Sequence, residues 1–177
     1  MDSSRQPPRP ASPEKQLGAF IAKFEPELRA SIREARQLVC GLLPAAHQLV
    51  YDNYNFLVIG YSPTERPSDA IVSLAADANG VRLCFLQGST LPDPAGILLG
   101  SGTRNRYVRL VAPRTLLRPE VQSIIRAALA QAKVPVPQPG RGSLIIRSVS
   151  QKQRPRKRQP ASGAKPKRPP TARRARS

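Results

Sequence analysis

The sequence contains few of the residues from which catalytic and metal sites are built. Its 177 residues include one histidine, two cysteines, no tryptophan and only 11 acidic side chains. Cys40 and Cys84 lie in apolar stretches without CxxC spacing, which is typical of small buried hydrophobic residues in a reducing compartment. One histidine and two scattered cysteines cannot build a closed four-ligand zinc site. We therefore expect a protein that is not an enzyme and that holds neither a metal nor a cofactor.

Long apolar runs are also missing. The run FLVIG at 56–60 is far shorter than the roughly 20 apolar residues that a membrane span needs. The first dozen residues, MDSSRQPPRPAS, are polar and rich in proline, unlike a secretory signal. We expect a soluble, cytoplasmic protein without a membrane partner.

Positive charge is abundant and unevenly distributed. The formal net charge is +18, and 13 of the 29 Lys and Arg, but no Asp or Glu, lie between Arg141 and Ser177. From Gln151 onward no large apolar residue occurs, so this segment cannot bury enough surface to offset the entropy of ordering. The pattern predicts a disordered basic tail at 151–177.

Two interpretations of this tail stay open. It could be a solubilising segment without a fixed partner, or an arm that binds nucleic acid or another polyanion. Binding would be indifferent to base sequence, because no aromatic residue separates the charges. The residues that would contact phosphates are Arg154, Arg156, Lys157, Arg158, Lys165, Lys167, Arg168, Arg173, Arg174 and Arg176.

Apolar periodicity predicts an α+β domain. Ser12-Pro13-Glu14 and Arg118-Pro119-Glu120 are helix starts, the second with Leu117 on its inner face, and an apolar stripe from Leu28 to Leu42 indicates another helix. Five strand-length segments follow one another between residues 48 and 111. Asn79-Gly80 predicts a type I′ hairpin turn between the third and fourth. We expect N-terminal helices, a five-stranded antiparallel meander and a C-terminal helix, with the helices on one face of the sheet.

The domain boundaries follow from these elements. Residues 1–12 are a disordered leader, 13–134 form the domain, and 135–150 form a proline-rich linker. Within that linker, SLIIRSV at 143–149 is compatible with a short edge strand. If the domain has a ligand site, we expect it where polar and aromatic groups near strand ends converge at one end of the sheet. These residues are Tyr51, Asn53, Asn55, Arg104 and Arg106.

The stretch LPDPAGILLGSGTRNR at 91–106 has the composition of a phosphate-binding loop but not its spacing. A Walker A motif would have glycine where Ile97 stands and lysine where Thr103 stands. A strand rather than a helix follows, so no helix N-terminus could supply amides to an anion. The pattern indicates a structural connection.

Three stretches carry a family resemblance. They are ELRASIREARQLVCGLLPAAHQLVYDNYNFLVIGYSPTERPSD at 27–69, VRLCFLQGSTLPDPAGILLGSG at 81–102 and RNRYVRL at 104–110. From about Ser31 to Lys133 the chain resembles the YdhG-like family, a bacterial domain of unknown function. The resemblance implies two helices flanking an antiparallel sheet, and it supplies no catalytic residues.

One member of that family is described as a frataxin-like iron chaperone. The resemblance therefore adds an iron-binding alternative, which would use Glu25, Glu27 and Glu34. Arginines alternate with these acids along the helix, so no uninterrupted acidic ridge forms. The leading hypothesis is a non-enzymatic binding module with a polycationic tail; the alternatives are a nucleic-acid-associated protein and an iron chaperone.

Overall fold

The computed structural model describes residues 11–158, which form an α+β domain with a six-stranded sheet. The helices are α1 (Pro13–Ile21), α2 (Pro26–Leu42) and α3 (Pro119–Ala130). The strands are β1 (His47–Asp52), β2 (Leu57–Ser62), β3 (Val72–Asp77), β4 (Gly80–Phe85), β5 (Arg106–Leu110) and β6 (Leu144–Val149). Their order across the sheet is β5-β4-β3-β2-β1-β6.

The sheet is larger than the expected five-stranded meander and is mixed. Strands β1 to β5 pair antiparallel as predicted, but β6 adds to the free edge of β1 and runs parallel to it. The linker returns to the start of β1, where the Gly142 amide donates to Pro44 O at 3.1 Å and the Gln48 amide donates to Ser143 O at 2.8 Å. Because the chain enters beside the first residue of β1, β6 can only continue in the same direction.

The helices begin where local signals place them. The Ser12 side chain accepts a hydrogen bond from the Lys15 amide, and a proline opens each of the three helices. One prediction at α3 is wrong: Leu117 is 48% exposed and precedes the helix, and its neighbour Leu116 is the buried residue. The predicted apolar stripe begins two positions before the first residue of α3.

The hydrophobic core lies between the helices and one face of the sheet. Alternate strand residues such as Val50, Ile59, Leu74 and Leu83 join the buried faces of the helices in one cluster. The intervening positions of β4 and β5, among them Arg82, therefore lie on the opposite face.

The hairpin between β3 and β4 is confirmed, but its predicted turn type is wrong. Asp77 pairs with Gly80, so the turn is centred on Ala78 and Asn79, one residue earlier than expected. Among residues 11–158 no residue other than glycine has a positive φ, whereas Gly80 has φ +140°. The Asn79 amide donates to Asp77 Oδ1 at 2.8 Å. This side-chain contact closes the turn and removes the need for a left-handed Asn79.

The glycine-rich stretch at 91–106 joins β4 to β5. The Asp93 carboxylate accepts from the amides of Ile97 and Leu98 at 3.0 and 2.8 Å, which holds a tight turn. Leu99 then pairs with Tyr107 of β5, and Gly100 between them has φ +109°. No helix begins at its end.

None of the helices in the 11–158 region combines the length and the apolar character that would let it cross a membrane.

Candidate functional site

The residues predicted to form one ligand site lie at opposite ends of the sheet. Asn53 and Asn55 follow β1, beside the end that carries the β3–β4 turn. Arg106 instead pairs with Phe85 at the far end of β4, and Arg104 lies just before it. The expected convergence therefore does not occur, because consecutive strands of a meander reverse direction and separate the two pairs.

Tyr51, the fifth predicted residue, lies inside the sheet between Val58 of β2 and Ser148 of β6. Its hydroxyl is buried and has no hydrogen-bond partner within residues 11–158.

Residues 150–158, which we call the C-terminal strap, cross the end of the sheet that carries Asn53 and Asn55. The Ser150 amide donates to Asp52 O at 2.9 Å, and the Arg154 amide donates to Tyr54 O at 2.8 Å. The Arg154 guanidinium also lies 5.7 Å from the centre of the Tyr54 ring. Residues 151–158 thus pack on the domain, so the prediction of a disordered tail is wrong for them, and the rest of that predicted tail, 159–177, lies outside the described residues.

Arg156 anchors the strap in the interior. Its side chain is 3% exposed, and its Nη2 lies 3.0 Å from Oδ1 of Asp52, which is fully buried. The same guanidinium donates to the backbone carbonyls of Asn55 and Asn53 and lies over the Phe24 ring. Two of the predicted ligand residues therefore serve as backbone acceptors. Arg156, predicted to contact nucleic acid, is not accessible to a partner in this arrangement.

Lys23 supplies a second cation to Asp52. Its ammonium pairs with Asp52 Oδ2 and donates to Gln153 Oε1 at 2.8 Å, while Gln153 Nε2 donates to Asp52 O at 3.0 Å. A buried carboxylate is tolerated only when it is paired and hydrogen-bonded, and here two cations meet that need. Sequence reasoning missed Asp52 because its partners are far away along the chain.

Three arginines from separate segments line one depression beyond the anchor. Arg82 of β4, Arg109 of β5 and Arg158 of the strap surround a cavity of about 350 Å³ beside Asn79 and Gly80. We call these three residues the arginine cluster. Arg82 and Arg109 are direct cross-strand partners, and Arg109 and Arg158 are exposed.

Arg82 is the most constrained member of the arginine cluster. Its guanidinium lies 5.1 Å from the centre of the Phe56 ring and 5.4 Å from that of Tyr107, and it pairs with Asp77 at 2.9 Å. Aromatic faces hold a guanidinium in place while leaving its edge free to donate hydrogen bonds. The arginine cluster therefore presents three guanidinium groups as N–H donors, and the guanidinium of Arg82 is fixed in orientation.

The arginine cluster carries more positive than negative charge. Within residues 11–158, Asp77 is the only acidic group paired with it, and neither Arg109 nor Arg158 forms an ion pair. Guanidinium groups that line one cavity repel one another, and an anion with several oxygen atoms between them would relieve that repulsion. Phosphate has the geometry for such bidentate contacts.

The positions of two members of the arginine cluster follow from the strand pattern. Arg82 and Arg109 alternate with buried apolar residues, so a period of two already places both on the solvent side of their strands. That they are neighbours depends on the β4–β5 register, and the approach of Arg158 depends on the strap.

The rest of the predicted phosphate-contacting set divides in two. Arg154 and Lys157 are exposed on the strap. The remaining six residues lie outside the described residues; they are Lys165, Lys167, Arg168, Arg173, Arg174 and Arg176.

His47 has a structural contact. Its Nδ1 accepts a hydrogen bond from the Ser143 amide at 3.2 Å, at the point where the linker meets β1. This bond requires an unprotonated Nδ1.

The thiols are held in their protonated form. Burial raises the pKa of Cys40, and burial raises the pKa of Cys84 to about 11. Since the thiolate is the nucleophilic form, neither cysteine is activated at neutral pH.

Acidic side chains do not gather in this part of the molecule. Across positions 11–158, no three His, Cys, Asp or Glu side chains come close enough to hold a metal ion together. The family resemblance is therefore the only support for the iron-chaperone alternative.

No family model matches the chain, and no curated protein or solved structure matches it significantly. The YdhG-like resemblance stays a prediction.

Proposed function

We propose that the protein is a non-enzymatic, YdhG-like module that binds nucleic acid through its phosphates, using the arginine cluster together with the basic tail. The observation that supports this most is the meeting of Arg82, Arg109 and Arg158 around one depression. Phosphate contacts carry no base information, so binding is independent of sequence.

The strap gives the tail a defined starting point. Because Arg156 is buried against Asp52, Arg158 lies at the domain surface as a member of the arginine cluster. The remaining basic residues therefore begin beside the cluster rather than at a random point on the surface. A polyanion bound to the arginine cluster is at high effective concentration for the basic tail, and a polyanion bound to the tail is at high effective concentration for the cluster.

The aromatic residues nearby serve the arginines rather than nucleobases. Arg82 already contacts Phe56 and Tyr107, and the Arg154 guanidinium lies over the ring of Tyr54, which is 49% exposed. Stacking on bases would require free ring faces. The arrangement thus favours backbone recognition of either DNA or RNA over base recognition.

The test compares two triple variants of the full chain with equal charge. One is Arg82→Gln/Arg109→Gln/Arg158→Gln. The control is Arg33→Gln/Arg114→Gln/Arg126→Gln, which removes three exposed arginines from α2, the β5–α3 connection and α3. Binding to a fluorescent double-stranded DNA of mixed sequence is measured by anisotropy at fixed salt.

We expect the cluster variant to bind at least about tenfold more weakly than the control, since each guanidinium–phosphate contact contributes roughly 1 kcal/mol or more. Equal affinities of the two variants would show that net charge alone drives binding and would reject a site at the cluster. Failure of the wild-type chain to bind DNA would favour the solubilising-tail interpretation.

A further inference from the structure

A second cavity lies at the opposite end of the sheet from the arginine cluster. It has a volume of about 540 Å³ and opens between the segment before β3, the segment after β4 and the end of α3. Its floor is apolar and includes Ile71, Phe85 and Leu91, each less than a tenth exposed. We call it the α3 cavity.

The rim of the α3 cavity is polar and connected by hydrogen bonds. Arg104 Nε donates to Gln87 Oε1 at 3.3 Å, and Gln131 Nε2 donates to Gln87 O at 3.4 Å. The Thr90 hydroxyl lies 3.3 Å from Gln131 Oε1. These contacts join α3 to the segment after β4 and hold the two walls at a fixed separation.

Backbone packing holds Arg104 at this rim. The Ser89 amide donates to Arg104 O at 3.0 Å. A Cβ atom at Gly88 would lie 2.5 Å from Arg106 Cβ and 2.8 Å from Arg106 N, so Gly88 packs directly against the first residue of β5. The rim is therefore preorganised, which lowers the entropic cost of binding.

The charges of the residues that line the α3 cavity indicate which class of ligand it would bind. Two cations, Arg104 and Lys133, face one anion, Asp69, whose oxygens already accept from the hydroxyls of Thr64 and Ser68. The terminal nitrogens of Arg104 have no hydrogen-bond or ion-pair partner within residues 11–158. The lining thus has an excess of one positive charge above an apolar floor.

We propose that the α3 cavity binds a small organic monoanion with an apolar body, its carboxylate at Arg104 and its body against Ile71, Phe85 and Leu91. A nucleic acid does not fit this description, because it carries many charges, whereas the lining has an apolar floor, the anion Asp69 and an excess of only one positive charge. The site is independent of the arginine cluster, since the two lie at opposite ends of the strands.

The experiment titrates the full chain with 4-phenylbutyrate and, as a matched uncharged probe, 4-phenylbutanamide, by isothermal calorimetry. Three variants are compared with the wild type. Arg104→Gln removes the carboxylate partner, Ala132→Phe fills the cavity from its half-buried wall, and Arg114→Gln is an exposed arginine control away from the cavity.

We expect the wild type and Arg114→Gln to bind the acid saturably, and Arg104→Gln to bind it at least about tenfold more weakly, as loss of a charge-assisted hydrogen bond predicts. Ala132→Phe should abolish binding while unfolding at the wild-type temperature. The amide should bind the wild type and Arg114→Gln more weakly than the acid does.

Three results would overturn the proposal. They are no saturable binding of the acid, equal affinity for acid and amide, and unchanged binding in Arg104→Gln, whose side chain is exposed. Each of these results is separable from nucleic-acid binding, because Arg82→Gln/Arg109→Gln/Arg158→Gln should bind the acid as the wild type does.

Discussion

At the scale of single residues, the pair of Asp52 and Arg156 fixes the C-terminal strap to the domain. Both side chains are almost completely buried, and the guanidinium also satisfies two backbone carbonyls beyond β1. Removing one partner of a buried pair leaves the other charge and those carbonyls without compensation. The strap therefore packs on the domain only while this ion pair is intact.

Arg156→Gln should lower the free energy of unfolding by about 3 kcal/mol, near the lower end for a broken buried pair, because Lys23 still neutralises Asp52. The measurement is urea unfolding followed by circular dichroism. The control Arg154→Gln changes an exposed neighbour and should shift stability by no more than about 0.5 kcal/mol. Equal losses of stability in the two variants would contradict an anchoring role for Arg156.

At the scale of elements, β6 is positioned by the chain that precedes it. A Cβ atom at Gly142 would lie 1.9 Å from Ala46 O and 2.6 Å from the His47 amide nitrogen. Both are backbone atoms, so no side-chain rotation can relieve the contact. Only glycine lets the linker approach β1 closely enough for the parallel pairing to begin.

Gly142→Ala should therefore detach β6 while leaving the β3–β4 hairpin paired. Hydrogen exchange should show loss of protection at the Gln48 amide, which donates to Ser143 O, and unchanged protection along β3 and β4. Gly41→Ala is the control, because its added Cβ meets nothing within 4 Å and lies in α2. That substitution should be neutral or stabilising by up to about 1 kcal/mol. Retained protection at Gln48 would reject this account of β6.

At the scale of the whole molecule, net charge and architecture act together. A formal charge of +18 favours association with any polyanion, but charge by itself does not define a site. The strap concentrates part of that charge at one surface, because it brings Arg158 beside two strands that already carry arginines. The sheet separates this end from the α3 cavity.

Affinity of the full chain for DNA should fall steeply with salt, by about 10³–10⁵-fold between 50 and 200 mM if roughly 6–10 phosphates are neutralised. In the cluster variant, the slope of log affinity against log salt should become shallower by about 1 for each phosphate that is no longer neutralised. The anisotropy titration is repeated at several salt concentrations. A slope that is identical in wild type and cluster variant would mean that the three arginines do not neutralise phosphates.

The features that were predicted correctly from the sequence are those that depend only on residues adjacent along the chain. The N-cap at Ser12 and the helix starts at Pro13 and Pro119 are properties of neighbouring residues, and they were predicted correctly. The type of the β3–β4 turn was not, because the Asp77 carboxylate offers the Asn79 amide a partner that a turn rule based on Asn-Gly does not consider.

The sequence by itself determined the α+β class, the helices, the antiparallel meander and the excess of positive charge, because each depends on short-range periodicity or on composition. Tertiary structure decided the parallel addition of β6, the burial of Arg156 against Asp52 and the meeting of Arg82, Arg109 and Arg158. These interactions join residues far apart along the chain. No local propensity encodes such partners, since they form only when packing of the core and closure of the linker bring the segments together.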